Sequence, residues 1–321
     1  MRVGIYFDLR NPPAWRTPSS RLYRFTLEMC EEAELLGCES VWLTEHHLFD
    51  DGYLPQPLTF AAAVAARTRR MRIGTGILIA PLHNPVEVAE QAAVVDILSD
   101  GRLDLGIGAG YRLPEFDLYG ADHAARYRTT DHTARELRRL WGEGGVTPRP
   151  VQDRVPLWLG YLGPNGARRA GLLGENLLTV NKGSWPTYRD GLIEGGHDVS
   201  TARMGGGIQG WVSDDPDADW PEVSRYVAYQ SDSYRRHMVE GTGAPIPKPI
   251  DPDKLRSREP RNALDHFVYG TPEHVAQWVR DYAGDAPVDT VYFWASIGGM
   301  SEEMVARHVQ TVCTKLAPLL A

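Results

Sequence analysis

Val3-Gly4-Ile5-Tyr6-Phe7-Asp8-Leu9-Arg10-Asn11-Pro12-Pro13 opens as a short apolar run and breaks into charge and proline. The run has the length of a buried strand, and the residues directly after it separate two α/β architectures. A doubly wound sheet that binds a dinucleotide needs a G-x-G-x-x-G turn directly after its first strand, so that backbone amides reach the pyrophosphate. Asp8 to Pro13 contains no glycine. The comparable run Gly106-Ile107-Gly108-Ala109-Gly110 lies far downstream and lacks the third glycine at the right position.

Outward from this run, strand-like and helical patterns alternate. Apolar, β-branched runs predict strands at Val3–Phe7, Ser40–Thr44, Arg72–Ile79, Leu103–Ile107, Leu157–Leu159, Asn176–Val180, Gly207–Val212 and Val288–Trp294. Helical spacing predicts helices at Leu22–Leu36, Pro57–Arg67, Pro85–Leu98, His123–Trp141, Gly166–Leu173, Pro186–Glu194, Pro221–His237 and Ser301–Leu316, with another opening at Thr271-Pro272-Glu273. Strands separated by helices pair in parallel through right-handed crossovers, so the expected fold is α/β, a single (β/α)8 TIM barrel over residues 1–321. Gly241 to Pro260, rich in proline, glycine and charge, reads as an excursion before the last strand.

Composition narrows the class of function. The 321 residues are 42% hydrophobic and 24% charged, which excludes a disordered chain. A net charge of -8, from 34 basic and 42 acidic residues, argues against nucleic acid as a partner. Three cysteines without a C-x-x-C pair suit a reducing compartment. No apolar stretch approaches the ~18 residues of a membrane span. The expectation is a cytoplasmic protein with no membrane partner.

A barrel builds its site at the carboxyl ends of its strands. Those ends are Tyr6-Phe7-Asp8, Glu45-His46-His47, Gly76-Ile77, Gly108 to Tyr111, Gly160 to Gly166, Asn181, Gln209 to Trp211 and Phe293-Trp294. Two adjacent imidazoles can move a proton near neutral pH, although one His buried and the other solvated would also satisfy the pattern. A metal site is not expected, since no His-x-x-x-His partner accompanies the pair. The glycine turns at Gly106–Gly110 and Gly160–Gly166 permit close backbone approach, and the second leads into a helix whose first amides suit a phosphate. Tyr6, Asp8, Trp211 and Trp294 are the expected substrate-pocket residues.

Four stretches carry a resemblance in order and spacing: Val41-Trp42-Leu43-Thr44-Glu45-His46-His47; Ile73-Gly74-Thr75-Gly76-Ile77 through His83-Asn84-Pro85-Val86; Ala89-Glu90-Gln91 through Asp100-Gly101-Arg102-Leu103; and Leu105 to Tyr111. Pro156-Leu157-Trp158-Leu159-Gly160 with Ala167-Arg168-Arg169-Ala170-Gly171 extends it. The chain resembles the bacterial luciferase-like flavin-dependent oxidoreductases over nearly its whole length. The resemblance implies a monooxygenase that uses reduced FMN from a separate flavin reductase, dioxygen and a small-molecule substrate. A related branch transfers hydride with coenzyme F420, and a flavin-binding protein without turnover is a third reading. The Glu-His-His form favours FMN. Carried over by position, His46 lies beside the flavin with His47 and Glu45 as catalytic neighbours, and a non-proline cis peptide falls at Gly76-Ile77. Phe7, Gly108, Ala109, Tyr111, Tyr161, Gly163, Asn165 and Gly166 complete the expected cofactor contacts. Ala109 stands where many relatives place a phosphate-binding arginine, with Arg112 as its substitute. The alanine-rich second helix implies a homodimer.

Overall fold

The computed structural model describes residues 1–255 and 267–321. The chain runs β1 (Arg2–Phe7), α1 (Ser19–Leu35), β2 (Ser40–Leu43), α2 (Pro57–Arg67), β3 (Arg72–Thr75), β4 (Leu78–Ile79), α3 (Pro85–Ser99) and β5 (Leu103–Gly108). It continues through α4 (Leu113–Tyr119), α5 (Arg126–Leu140), β6 (Leu157–Leu159), α6 (Gly163–Leu173), β7 (Asn176–Leu178), α7 (Trp185–Glu194), β8 (Met204–Val212) and α8 (Pro216–Val239). Beyond these lie β9 (Phe267–Gly270), α9 (Pro272–Ala283), β10 (Val288–Trp294), α10 (Glu302–Thr311) and α11 (Ala317–Leu320), the last two joined by a wider π turn at Val312–Leu316.

Parallel ladders join β1 to β2, β2 to β3, both β3 and β4 to β5, and so on through β6, β7, β8 and β10 back to β1. β3 and β4 form one stave interrupted at Gly76-Ile77, whose peptide bond is cis. The result is a closed, eight-stranded parallel barrel ringed by helices, as the alternation in sequence predicts.

Differences from the sequence reading have local causes. β8 begins at Met204, because Gly205-Gly206-Gly207 lacks the side chains that mark a strand. α8 begins at Pro216, five residues early, where Asp215 caps it by accepting from the Ala218 amide and Pro216 takes the first turn. α4 and β9 were not expected; β9 pairs with the end of β8 outside the barrel ladder. Of the expected excursion, residues 241–255 carry only a short helical turn at Pro252–Lys254, and the rest lies outside the described residues.

The lower barrel interior is filled by three rings. Trp42 and Tyr292 stack with centroids 4.6 Å apart at 16°, and Trp158 meets Trp42 edge-on at 6.0 Å. Their polar atoms are satisfied: Trp42 Nε1 donates to Ser40 Oγ at 3.1 Å and Trp158 Nε1 to Asp104 Oδ1 at 3.0 Å. Rings this large fit because glycines face them. A Cβ on Gly207 would lie 2.8 Å from the Tyr292 ring, one on Gly76 2.6 Å from its hydroxyl, and one on Gly74 inside the contact shell of Trp42. Gly74→Ala is therefore expected to destabilise the barrel by about 1–3 kcal/mol, the usual cost of overpacking. Denaturant unfolding checks this, and an unchanged midpoint would contradict the packing.

Candidate active site

Strand alternation sorts the residues of the first two strand ends. On β1, Val3, Ile5 and Phe7 join the core between barrel and helices, while Tyr6 packs with Trp42 and Tyr292 on the inner face. Phe7, an expected cofactor contact, thus packs in the core, while Tyr6, an expected substrate-pocket residue, faces the barrel interior. Asp8 is buried, and it accepts from the Arg10 amide and Gln230 Nε2, both at 3.3 Å. Burial raises its carboxyl to about 6, against the opposing pull of Arg10.

After β2 the two histidines part. The His46 ring sits among Phe49, Tyr53 and Tyr111, with centroids at 4.8, 4.8 and 5.4 Å. Its Nδ1 donates to Glu115 Oε1 at 2.8 Å, and the same oxygen accepts the His47 backbone amide at 2.8 Å. A carboxylate only accepts, so this pairing assigns the proton to Nδ1 and leaves Nε2 with its lone pair. The Tyr111 hydroxyl lies 3.4 Å from Nε2, and burial raises that phenol. Glu115, fully buried on α4, belongs to no motif, and α4 itself was not legible.

Glu45 and the His47 ring serve a second cluster. Glu45 Oε1 accepts from His47 Nε2 at 2.8 Å and His83 Nε2 at 2.6 Å, while Oε2 accepts from the Ile79 amide at 2.6 Å. Burial pushes this carboxyl up, but the donations from His47, His83 and Ile79 outweigh it and hold it below the usual range. The Tyr119 hydroxyl completes the group, 3.3 Å from His47 Nδ1. Glu45 thus ties the end of β2 to β4, just beyond the cis bond. Of the expected trio, His46 thus bonds to Glu115, while Glu45 and the His47 ring bond to each other.

The glycine turns divide similarly. Ile77 is half-buried, and Gly108 and Gly160 leave room for it: a Cβ on either would come within 2.9 and 2.5 Å of its side chain. Ala109 is packed in the core. Arg112 is buried, with one terminal nitrogen on the His47 carbonyl at 2.5 Å and the other on Glu240 at 2.6 Å. Those contacts draw it away from the phosphate role expected of it. α6 begins at Gly163, leaving the Gly163 and Asn165 amides without partners in the helix, and both residues are exposed. Gly166 is buried one turn further in, where a Cβ would lie 2.5 Å from that of Tyr161. Tyr161 donates to Asp131 at 2.6 Å.

Trp211 is fully buried, stacked on His308 at 3.8 Å in the cluster beneath α8, and Trp294 packs in the same cluster. Both expected substrate-pocket tryptophans thus lie in this one cluster. Residues not anticipated enter from α8 and the β2–α2 loop. The hydroxyls of Tyr53 and Tyr234 meet at 2.9 Å, and Arg10 lies beneath four rings, Phe49, Tyr53, Tyr229 and Tyr234, at 5.2 to 5.7 Å. Arg10 pairs with Asp51 at 2.7 Å and donates to Ser233.

Residues 1–289 match the luciferase-like monooxygenase family. The oxygenase component of flavin-dependent trigonelline monooxygenase from Acinetobacter baylyi is 29% identical over 181 residues, 51% of this chain and 50% of that protein. The F420-dependent glucose-6-phosphate dehydrogenase of Microbacterium testaceum is 28% identical over 283 residues, 77% of this chain and 81% of that one. Monooxygenase RslO1 from Streptomyces bottropensis superposes with a TM-score of 0.79 over the full length of both chains at 25% identity. The match to the trigonelline enzyme thus spans about half of that protein's own length. By the extent of the family match, and by the barrel that carries its motifs, this chain belongs to the luciferase-like monooxygenase family.

Proposed function

We propose that the chain is a flavin-dependent monooxygenase that oxidises a small organic substrate with dioxygen and reduced FMN, supplied by a separate flavin reductase. The observation that carries this reading is the His46–Glu115 pair, which turns Nε2 toward the Tyr111 hydroxyl among Phe49, Tyr53 and Tyr111. The residues present also fit a flavin. Ile77, half-buried and seated against Gly108 and Gly160, would support its ring system, and the open amides of Gly163 and Asn165 suit its phosphate. Reduced FMN, when bound, would supply the electrons that activate dioxygen.

The chain's own residues then have separate tasks. Glu115 keeps His46 in the Nδ1–H form, so His46 takes up or returns a proton at Nε2. The Tyr111 hydroxyl is a second proton donor at the same atom. Tyr6, Phe49 and Tyr53 wall the site and exclude water, which suppresses side reactions. Glu45, by accepting the Ile79 amide, keeps the Gly76-Ile77 segment in place. Three free, buried cysteines fit a reducing, cytoplasmic setting.

The long overlap with the F420-dependent dehydrogenase supports a second reading, hydride transfer with coenzyme F420. For assembly, α3 leaves Val86, Val94, Ile97 and Leu98 exposed, and this apolar face supports a homodimer.

Oxygen uptake with reduced FMN should depend on substrate and fall about 10²–10⁴-fold in His46→Ala, the usual range for a proton-transfer residue. Glu115→Gln should lose less, with flavin binding retained in both; full activity in His46→Ala rejects the mechanism. Fluorescence titration is expected to show tighter binding of FMN than of F420, and the reverse order selects the hydride-transfer reading. Sedimentation at micromolar concentration should give a dimer, and a monomer counts against that interface.

A further inference from the structure

A hydroxyl cluster beside His46 joins Tyr6, Thr44, Tyr53 and Tyr234. Tyr53 OH contacts Tyr6 OH at 3.3 Å, Thr44 Oγ1 at 2.8 Å and Tyr234 OH at 2.9 Å. A hydroxyl carries one proton and two lone pairs, so three contacts saturate Tyr53: it donates once and accepts twice. Two of its three neighbours therefore donate to it and the third accepts from it, and Tyr6 also lies within hydrogen-bonding reach of Thr44 and Tyr234. Tyr6 and Tyr234, the two that are only partly buried, also keep free lone pairs. Burial raises both phenols, so they stay protonated and neutral. When Tyr53 donates to one of these two phenols, that phenol keeps its own proton for an outside acceptor while the other offers a lone pair to an outside donor.

The charges around the cluster select against an anion. Arg10 is one cation facing two carboxylates, Asp51 at 2.7 Å and Asp8, whose amide contact to Arg10 is 3.3 Å. Its unpartnered Nη1 gives no opening, because the Arg10 side chain is wholly buried. Arg112 is paired with Glu240. Asp8 is close enough to add its charge to the raising of both Tyr6 and Tyr234. Among the described residues at this end of the barrel, then, aromatic surface and neutral hydroxyls predominate, and the excess charge is negative.

We propose that Tyr6 and Tyr234, organised by Tyr53, are the specificity element for an uncharged, flat aromatic substrate that bears a hydroxyl or carbonyl oxygen. The proposal rests on the oxygenase reading for its chemistry, but its recognition step is measurable alone. The oxygen exchanges hydrogen bonds with the two phenols, and the ring packs beside those of Tyr6, Tyr53 and Tyr111 near His46.

Three probes on one ring system test this by calorimetry on the full chain, with and without FMN: 1-naphthol, naphthalene and 1-naphthoate. Naphthol is expected to bind about tenfold more tightly than either of the others, the effect of one or two neutral hydrogen bonds. In the Tyr6→Phe/Tyr234→Phe double variant, naphthol should fall to the affinity of naphthalene, while naphthalene itself binds as before. Naphthoate binding best, naphthol no better than naphthalene in the wild type, or a double variant that keeps the preference would each overturn the assignment. The wild-type ranking decides even if the variant does not fold. Failure to bind FMN in the same cell would strike the cofactor reading while leaving the ranking of probes intact.

Discussion

Large rings packed against bare backbone set the terms for the rest of this molecule. Trp42, Trp158 and Tyr292 occupy the barrel axis where branched aliphatic side chains usually interlock in layers. The strands facing them can only be glycine at the contact points, which is why Gly74, Gly76 and Gly207 recur at the inner face. The arrangement carries upward into the site: Tyr6 stacks over Tyr292 with centroids 5.8 Å apart at 26°. The plug beneath the mouth and the wall of the mouth are thus one continuous aromatic column, and the site floor inherits the rigidity of the core.

Above the column, two buried carboxylates divide the work of adjacent histidines. Burying a carboxylate calls for donors around it: Glu45 has them on both oxygens, whereas Glu115 has them on Oε1 and its Oε2 is buried without a partner. Glu115 gathers the His46 ring and the His47 amide onto one oxygen, which orients the ring that faces the mouth. Glu45 gathers His47, His83 and the Ile79 amide, which joins two strand ends. The two rings of the same dipeptide therefore part, one held by Glu115 among the aromatic rings at the mouth and the other drawn into the clamp that joins the strand ends.

α8 closes the construction. Arg10 from the loop after β1 and Asp51 from the loop after β2 form a buried ion pair, and Ser233 on α8 accepts from the same guanidinium. Removing either charge would strand the other, so the pair couples three separate segments. Tyr229 and Tyr234 ride on α8 into the space above Arg10, and His237 stacks on Phe49 at 3.8 Å. Aromatic rings of α8 are brought beside the loops after β1 and β2 through this ion pair.

Periodicity alone identified the barrel, because alternating strand and helix patterns with no glycine turn after Phe7 leave few other parallel arrangements. It also placed His46 and the Gly76-Ile77 step at strand ends. Local pattern failed where tertiary packing replaced the usual signals. Gly205 to Gly207 form a strand because neighbouring residues fill the space their side chains would need, and Pro221 sits inside a helix already capped at Asp215. Phe7 and Trp211 sit at the expected strand ends, but alternation and stacking on His308 decide where their rings go. Glu115, Tyr53 and Tyr234 carry no motif at all. They reach His46 only because a short helix, a loop and α8 converge over one end of the barrel. Chain patterning was thus enough for the barrel and for the histidine at its mouth. The groups that fix that histidine's proton and surround it emerge only on folding, since those contacts join residues far apart in the chain.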